Sequence, residues 1–462
     1  MPAIASSTLT GNAYVDGMLG DYKWAANSLT YSFPTEASYY GNAYGSAENV
    51  TNFGVFNATQ QTIARSALTM YASVANLHFT ELSETATQHA DLRLAMSDRP
   101  SSGWAYLPTT AAEGGDVWFN GSIGLYTSPV KGNYASFAFM HEIGHVLGLE
   151  HPHENGMPVD RDSMEYTVMS YRSYVGASTT AGLTNEIWGY AQSPMLYDIA
   201  ALQQLYGANY TTNSSNTVYS WSPTTGEMTT NGMRHGAPGG NKIFLTVWDG
   251  GGNDTYDFSK YASNLSVDLR PGAWTNTATN QLAKLSSDGS KIAAGNIANA
   301  LLSQGDARSL IENAVGGSGS DVLIGNETAN LLTGGAGKDK LSGWAGNDTL
   351  DGGSGADALG GGAGADVFDF NSIEETPAGA RDIIQDFVQG VDHIDLRTID
   401  ASTVAAGDQA FSFVAAKSFT GQSGQLSFAN HVLSGDVNGD KVADFQIYVS
   451  GVPALAATDF YL

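Results

Sequence analysis

Cysteine is absent from the 462 residues, which excludes both a disulfide framework and a cysteine nucleophile. Lysine and arginine are scarce. The 20 basic residues against 46 acidic ones give a net charge of −26, which argues against nucleic acid or an anionic membrane as a partner. No run of about 18 apolar residues occurs, so we expect no membrane insertion. The chain must therefore be stabilised by its apolar core and by bound cations.

The amino-terminal sequence also lacks the features of a signal peptide. Met1 to Ala5 contain no basic residue, and no apolar core of signal-peptide length follows them. We expect residues 1–20, which are small and polar, to be a leader or a short pro-segment. Export, if it occurs, requires another signal.

One stretch carries metal-binding chemistry, H-E-I-G-H-V-L-G-L-E-H at residues 141–151. Side chains at positions i and i+4 lie on the same face of a helix, so His141 and His145 can bind one metal, with Glu142 beside it. Gly148 predicts a helix end and a sharp turn that returns His151 to the metal. Three imidazoles favour Zn²⁺ and leave a fourth position for water, which is typical of a catalytic site.

This spacing resembles the metzincin signature, H-E-x-x-H-x-x-G-x-x-H followed by a methionine turn. Residues 166–171, Y-T-V-M-S-Y, lie downstream at the place of that turn. The resemblance implies that Met169 packs beneath the zinc ligands. It also implies that Tyr171 reaches the metal as a further ligand, or the oxyanion of a tetrahedral intermediate.

Apolar periodicity around this stretch predicts an α+β domain. Strands are expected at 29–34, 79–82, 92–96, 104–108 and 117–119, and helices at 57–75, 134–147 and 194–206. Gly207 ends the last helix, so we place a boundary there, between a protease domain of residues 21–207 and a second domain of residues 208–462. The 104–108 strand is either an edge to which substrate pairs or an interior strand.

A nine-residue repeat fills residues 316–369, with starts at 316, 325, 334, 343, 352 and 361. Its pattern is the calcium-binding G-G-x-G-x-D-x-U-x nonapeptide, and residues 249–256 fit the same template. The glycines form a turn whose carbonyl groups face a cation, the aspartate supplies charge, and one large apolar side chain points inward. Hard oxygen ligands suit Ca²⁺. The copy at 325–333 carries Asn326, Thr328 and Asn330 at glycine and aspartate positions, which weakens its expected contribution.

The predicted calcium ligands are backbone carbonyl groups of the turns and the aspartate carboxylates. They are Asp249, Gly251, Asp254, Gly316, Gly317, Ser318, Gly319, Asp321, Gly334, Gly335, Ala336, Gly337, Asp339, Gly343, Ala345, Gly346, Asp348, Gly352, Gly353, Ser354, Gly355, Asp357, Gly361, Ala363, Gly364 and Asp366.

Several other polar residues lie outside these patterns. Residues 436–444, D-V-N-G-D-K-V-A-D, resemble an incomplete EF-hand loop, and both a calcium loop and an ordinary acidic turn stay open. His153 lies near the zinc stretch but off its register, and Asp198 is expected to pack or to cap a helix. We expect the histidines without ligand spacing to be structural or at the surface; they are His78, His89, His235, His393 and His431.

Together with the terminal D-F-Y-L at residues 459–462, these motifs resemble the serralysin family of secreted bacterial metzincin endopeptidases. The resemblance implies an α+β zinc-protease domain followed by an all-β parallel β-roll, with one catalytic Zn²⁺ and several structural Ca²⁺ ions. It implies protein and peptide substrates, a proteinaceous protease inhibitor as a partner, and a monomer. It also implies an extracellular protein, exported by type I secretion machinery that recognises an uncleaved carboxy terminus.

Two segments depart from the family pattern. After His151 the family continues Pro-Gly-x-Tyr-Asn, whereas residues 152–157 here are P-H-E-N-G-M, which affects substrate specificity at the rim of the cleft. Residues 213–217, N-S-S-N-T, replace an Arg/Gly/Asp-type segment that helps the family bind calcium. This substitution weakens the calcium site expected at Asp249, Gly251 and Asp254.

Zinc chemistry predicts peptide hydrolysis. The metal lowers the pKa of its bound water and polarises the scissile carbonyl group. Glu142 then acts as general base and later as general acid, and Tyr171 stabilises the oxyanion. Two alternatives stay open: a calcium-binding adhesion protein without activity, against which Glu142 argues, and a protease of narrow rather than broad specificity.

Overall fold

A five-stranded sheet and three helices of more than two turns form the first half of the chain. The computed structural model describes residues 2–41, 44–414 and 418–462, and Met1, part of the predicted leader, lies outside them. The elements are β1 Ile4–Ser6, α1 Ala13–Asp16, β2 Tyr22–Trp24, β3 Ser28–Ser32, α2 Ala58–Val74, β4 His78–Glu81, β5 Leu92–Ser97, β6 Gly103–Ala105, β7 Val117–Asn120, α3 Tyr134–Val146 and α4 Leu196–Tyr206. The predicted helices at 57–75, 134–147 and 194–206 are therefore present, with ends that differ by one or two residues.

Strand β6 forms the outer edge of this sheet. The strand order is β4-β3-β5-β7-β6; neighbours pair in parallel except β6, which pairs antiparallel with β7 through Trp104 and Trp118. Its other side has no strand partner among the described residues. The interior-strand alternative for residues 104–108 is therefore wrong, and the edge alternative remains.

Local capping and one apolar face explain why α2 forms where the sequence predicts it. The Asn57 side chain accepts a hydrogen bond from Gln60 N, and the Gln60 side chain accepts one from Asn57 N, so two unpaired amide groups at the helix start are satisfied. Leu68, Tyr71 and Val74 of this helix are buried in the core. At the start of helix α3 the Asn133 side chain accepts a hydrogen bond from Ser136 N, and the helix is buried from Ala135 to Val146.

The segment predicted to be a leader packs against the protease core. Strand β1 pairs antiparallel with β2, and Met18 is fully buried. Gly20 N donates to Gly148 O at 2.9 Å, and Glu150 N donates to Met18 O at 2.9 Å. Residues 2–20 therefore hold the turn that follows α3.

Short strands joined by turns form the second half, and those of its two larger sheets pair mostly in parallel. They are β8 Val218–Trp221, β9 Met228–Thr230, β10 Met233–Arg234, β11 Leu245–Val247, β12 Thr255–Asp257, β13 Ser266–Asp268, β14 Trp274–Thr275, β15 Ile297–Asn299, β16 Asn313–Val315, β17 Val322–Ile324, β18 Leu331–Thr333, β19 Ala336–Gly337, β20 Lys340–Ser342, β21 Thr349–Asp351, β22 Ser354–Gly355, β23 Ala358–Gly360, β24 Val367–Asp369, β25 Asp382–Ile384, β26 His393–Asp395, β27 Ser412–Phe413, β28 Gln425–Ala429, β29 Val432–Asp436, β30 Phe445–Val449 and β31 Phe460–Tyr461. The parallel runs are β8-β12-β16-β18-β21-β24-β26-β31 in one sheet and β13-β17-β20-β23-β25-β30 in the other.

Successive nonapeptides alternate between the two sheets, so stacked residues are 18 positions apart. Leu323 pairs with Leu341 in one sheet, and Leu332 pairs with Leu350 in the other. The apolar residue of each repeat is buried to 2% exposure or less, as predicted; the set is Leu323, Leu332, Leu341, Leu350, Leu359 and Phe368. The turns are packed so closely that a Cβ on Gly364 would lie 1.6 Å from Gly346 O. Only glycine fits there.

The carboxy-terminal strands close the roll, and its amino-terminal part packs on the protease half. Strand β31 pairs in parallel with β26, and Asp459 beside it is fully buried. Phe244 and Trp248 belong to the same apolar cluster as the protease core. Within the described ranges no helix is long and apolar enough to cross a membrane. The predicted fold class, an α+β protease domain followed by a parallel β-roll, is confirmed.

Candidate active site

Helix α3 and the turn after it bring the three predicted zinc ligands together. His141 and His145 lie one turn apart on α3, which ends at Val146. Gly148 has φ of +98°, and a Cβ there would lie 2.9 Å from Tyr22 O, so the turn requires glycine. The turn returns His151, and one ligand atom of each histidine lies within 4.8 Å of the others.

The hydrogen bonds of the three imidazoles fit a metal. Each Nδ1 faces an oxygen: His141 faces Val168 O at 2.9 Å, His145 faces Leu149 O at 2.8 Å, and His151 faces Glu154 Oε2 at 2.8 Å. A carbonyl or an ionised carboxylate can only accept, so each Nδ1 carries the proton and each Nε2 presents a lone pair. The Nε2 atom of His151 lies 3.2 Å from that of His141 and 2.9 Å from that of His145. Three lone pairs at this separation repel one another unless a cation lies between them.

Burial keeps these imidazoles neutral. It lowers the pKa of His141 to about 3, and it lowers the pKa of His145 well below its usual value. Burial also lowers the pKa of His151, although its hydrogen bond to Glu154 opposes the shift. Neutral imidazole is the form that binds zinc, so the ligand set is ready at neutral pH.

Glu142 follows His141 on α3 and lies beside the edge strand. Its side chain is buried, and burial raises its pKa to about 8. A Cβ on Gly103, the first residue of β6, would lie 3.0 Å from Glu142 Oε1. The carboxylate therefore lies beside the strand edge that is open to an extended peptide, and it binds a proton more tightly than a free glutamate.

A cavity of about 310 Å³ opens next to Glu142. Its apolar wall includes Tyr134, Phe137 and Leu183, and His141 and Glu142 line its inner end. A cavity of this size and lining accommodates one apolar side chain of a bound polypeptide. The site therefore combines three histidines that could hold a metal, a carboxylate and a side-chain pocket.

The rings of Tyr171 and His153 lie close to that of His151. The Tyr171 ring centroid is 4.4 Å from that of His151 and 5.0 Å from that of His153. Burial, and next the charge of Glu142, raise the pKa of Tyr171 to about 12, so its hydroxyl stays protonated and can donate. The position of His153 was missed by spacing alone, because the 152–157 loop returns it to the site.

The methionine turn packs against α3. Met169 is fully buried, and a Cβ on Gly144 would lie 2.6 Å from its Sδ. Asp198, at the start of α4, accepts hydrogen bonds from Val168 N and Met195 N, both at 2.8 Å. It therefore caps α4 and holds the turn at the same time.

The aspartates of the roll form two columns. In one, Asp321 N donates to Asp339 Oδ1, Asp339 N to Asp357 Oδ1, and Asp357 N to Asp382 Oδ1, at 2.7 to 2.8 Å. In the other, Asn330 N donates to Asp348 Oδ1, Asp348 N to Asp366 Oδ1, and Asp366 N to Asp392 Oδ1, at 2.8 to 3.0 Å. Asp382 and Asp392 were missed by the repeat analysis. They follow their partners by 25 and 26 residues instead of 18, so no periodic signal marks them.

At most aspartates of the two columns, the second carboxylate oxygen is available to bind a cation. Buried Oδ2 atoms without a hydrogen-bond partner in the described part of the chain are those of Asp254, Asp339, Asp348, Asp357, Asp366 and Asp382. Burial raises the pKa of Asp339 to about 6, of Asp348 and Asp357 to about 7, and of Asp382 to about 8. An unpaired buried carboxylate oxygen is unfavourable, and a hard cation would satisfy it.

The copy at 325–333 satisfies itself without a cation. Asn330 Oδ1 accepts from Asn326 N at 2.7 Å, and Asn330 Nδ2 donates to Glu312 O at 2.8 Å. The Asn326 amide donates to Ile311 O at 2.8 Å. Side-chain amides therefore fill the positions that elsewhere leave a carboxylate oxygen unpaired.

Two acidic segments lie outside these columns, Asp249 with Asp254 and the 436–444 loop, and their carboxylates have different hydrogen-bond partners. Burial raises the pKa of both Asp249 and Asp254, and Asp254 Oδ2 has no hydrogen-bond partner among the residues that the structure describes, as in the columns. In the 436–444 loop, Asp436 accepts from Gly439 N at 2.6 Å and from Lys441 N at 3.0 Å. These local bonds are those of an acidic turn, and they place both carboxylate oxygens on amide groups.

Comparison with known proteins gives two matching family models. The model described as Peptidase M10 serralysin C terminal matches residues 208–462. The model described as Metallo-peptidase family M12B Reprolysin-like matches residues 49–152, a range that ends one residue after His151.

Curated relatives match nearly the whole chain. Metalloprotease AprA of Pseudomonas entomophila is 36% identical, over 93% of this chain and 84% of its own. Serralysin of Photorhabdus sp. is 35% identical, over 98% and 90%, and serralysin A of Dickeya chrysanthemi is 39% identical, over 78% and 71%. A solved structure, the AlgE6R3 subunit of the Azotobacter vinelandii mannuronan C5-epimerase, is 30% identical over 32% of this chain and 80% of its own, with a TM-score of 0.25.

Proposed function

Since this chain belongs to the serralysin family of metalloendopeptidases, we propose that it hydrolyses internal peptide bonds of proteins with zinc at His141, His145 and His151 and with Glu142 as its general base. The observation that carries the proposal is the convergence of three unprotonated Nε2 atoms beside one buried carboxylate. A bound Zn²⁺ would supply Lewis-acid chemistry there, lowering the pKa of water and polarising a carbonyl group.

Glu142 moves the proton. The buried carboxylate accepts a proton from the attacking water and later delivers it to the leaving amine. The burial of Glu142 strengthens this exchange, because water competes less for the carboxylate. No other carboxylate lines the cavity in the described part of the chain.

The edge strand and Tyr171 bind and orient the substrate. An extended peptide pairs with the free edge of β6 through main-chain hydrogen bonds, with one side chain in the cavity beside Phe137. The Tyr171 hydroxyl, which stays protonated, donates to the oxyanion as it forms. The 38% exposure of Tyr171 leaves its ring room to move.

Calcium fills the aspartate columns in this proposal. Its support is the set of buried, unpartnered Oδ2 atoms, which a hard cation would bind together with turn carbonyl groups. The roll, residues 208–462, would then fold as a calcium-dependent domain after a protease domain of residues 21–207. At low cytosolic calcium it would stay unfolded and competent for export.

We further infer an extracellular protein exported by type I secretion machinery, with a protein inhibitor of the cleft as a partner. The terminal Asp459 to Leu462 would be read before folding, because Asp459 is fully buried afterwards. The overall relationship to serralysins supports this assignment.

Glu142→Gln tests the catalytic assignment. The variant should keep stoichiometric zinc and lose peptide hydrolysis, because the ligands stay while the proton acceptor is gone; removal of a general base costs about 10²–10⁴-fold in rate. Zinc content and cleavage of an unfolded protein substrate are measured on the same preparation. His145→Ala is the control that should lose zinc as well. Full activity of zinc-loaded Glu142→Gln would overturn the mechanism.

A further inference from the structure

A continuous chain of hydrogen bonds joins His141 to the carboxylate of Asp198. His141 Nδ1 donates to Val168 O at 2.9 Å, and the N–H of the same peptide group, Met169 N, donates to Thr167 Oγ1 at 2.9 Å. Thr167 Oγ1 in turn donates to Asp198 Oδ1 at 2.6 Å. Every donor in this series points toward the carboxylate.

All members of the chain are buried. Thr167, Met169 and Asp198 are completely inaccessible, and His141 is 7% exposed. Asp198 Oδ2 is occupied by two amide groups, so Oδ1 is the oxygen that is available to Thr167. No cationic side chain forms an ion pair with Asp198 in the described residues. In the described residues, hydrogen bonds alone therefore stabilise its negative charge, and the one from Thr167 belongs to the series that reaches His141.

The other two ligands are held differently. The partner of His145 is the carbonyl oxygen of Leu149, and that of His151 is the carboxylate of Glu154, whose side chain is 59% exposed. Water screens the exposed carboxylate, whereas Asp198 acts through a dry interior. His141 is thus the one ligand with a buried anion behind it.

We propose that Asp198 is a positioning residue for the metal centre, holding His141 in its Nδ1-protonated form and strengthening its Nε2 as a donor through Thr167 and the Val168–Met169 peptide group. Hydrogen bonds in series polarise one another, so the negative charge at one end increases electron density at the other. Metal-bound histidines commonly donate to a carboxylate directly, and such partners raise their basicity. Here one hydroxyl group and one peptide group lie between the histidine and the carboxylate.

The inference rests on the proposed function, since it assumes that zinc binds at His141. It gives Asp198 a role that is separable from its cap on α4. The cap uses Oδ2 and the amide groups of Val168 and Met195, while the series to His141 uses Oδ1 and Thr167. Changing Thr167 therefore breaks the series and leaves the cap in place.

Thr167→Val and Thr167→Ser form the test pair in the full-length, calcium-saturated protein. Valine matches threonine in shape but has no hydroxyl group, whereas serine keeps it. Zinc affinity is measured by competition with a chelator, and the visible spectrum of the Co²⁺-substituted protein reports the ligand field without turnover. We expect Thr167→Val to lose about 10–100-fold in zinc affinity, with an altered cobalt spectrum, and Thr167→Ser to match the wild type.

Two further variants separate this role from a structural one. Thr277→Val removes another buried hydroxyl group, one that donates to Gln281 Oε1 at 2.9 Å in the second half of the chain, and should leave zinc affinity and the cobalt spectrum unchanged. Asp198→Asn can keep the α4 cap through its carbonyl oxygen while its amide group cannot accept from Thr167. It should weaken zinc binding about tenfold or more.

The outcomes distinguish the two proposals. Folded Thr167→Val with the wild-type zinc affinity and cobalt spectrum would overturn the inference and leave the proposed function intact. If Thr167→Val does not fold, an Asp198→Asn variant with wild-type zinc affinity overturns it equally. A wild-type protein that binds no zinc would overturn the proposed function, and this inference with it.

Discussion

Replacing Asp382 by asparagine should remove at least one calcium ion from the roll, while the hydrogen bond from Asp357 N stays in place. Asp382 Oδ1 accepts from Asp357 N at 2.7 Å, and Oδ2 is buried without a partner among the described residues. Asparagine keeps an acceptor for the first contact and presents an NH₂ group where the free oxygen was. The chain already makes this exchange once, at Asn330, whose amide group donates to Glu312 O.

The loss should be about the free energy of one calcium site. A site filled at about 100 times its dissociation constant contributes roughly 2.7 kcal/mol to the free energy of unfolding. Asp382→Asn should therefore destabilise the calcium-loaded roll by about that amount, bind at least one fewer ion, and need more calcium to fold. Without calcium its effect reverses in sign, because burial, and next the charge of Asp357, make ionised Asp382 unfavourable.

Asn330→Asp is the matched opposite change. An aspartate there faces Glu312 O and Asn326 Oδ1, two oxygen atoms that a cation would bind and that repel a carboxylate in its absence. This variant should gain calcium and lose stability in chelator. Calcium per chain is measured by equilibrium dialysis with elemental analysis, and folding is followed by far-UV circular dichroism during a calcium titration. An Asp382→Asn protein with the wild-type calcium content and folding midpoint would refute the reasoning.

Three further predictions follow from the same geometry. Tyr171→Phe should lower kcat more than it raises KM, because the hydroxyl group acts mainly in the transition state; an unchanged kcat would assign Tyr171 a structural role. In chelator, protonation of buried aspartates should partly replace calcium binding. Burial raises the pKa of Asp348 and Asp357 to about 7. Their protonation therefore stabilises the folded roll fully below about pH 4, and this stabilisation is lost as the pH rises through about 7. Circular dichroism at pH 5 and pH 8 checks the sign, and equal signals would contradict it. Deleting Asp459 to Leu462 should abolish export from a secreting host, and normal secretion would refute the export assignment. Because β31 pairs with β26, the deletion should also lower the stability of the calcium-loaded protein.

We expect the choice of protein substrate to depend on the cavity and on the 152–157 loop. The cavity beside Glu142 is largely apolar, which favours an apolar side chain next to the scissile bond. A cleavage-site profile on a denatured proteome would measure this preference directly. It would also separate a broad protease from one of narrow specificity.

The sequence by itself determined the chemistry whose residues are close along the chain. The zinc ligands span eleven residues of one helix and one turn, and the roll repeats every nine residues, so helical spacing and a fixed period reveal both. The apolar residue of each repeat was predicted to be buried and is buried. The fold class could also be predicted from the sequence, because helices, strands and repeats with these patterns can pack together in few ways.

Only the tertiary structure decided the contacts between segments that are distant in sequence. It showed that residues 2–20 hold the Gly148 turn, that β6 is an edge strand, and that Asp382 and Asp392 extend the aspartate columns after the period breaks. It also joined Asp198 to His141, two residues separated by 57 positions. Spacing carries no signal for such pairs, since the loops between them can have any length and composition, and only packing brings the groups within hydrogen-bonding distance.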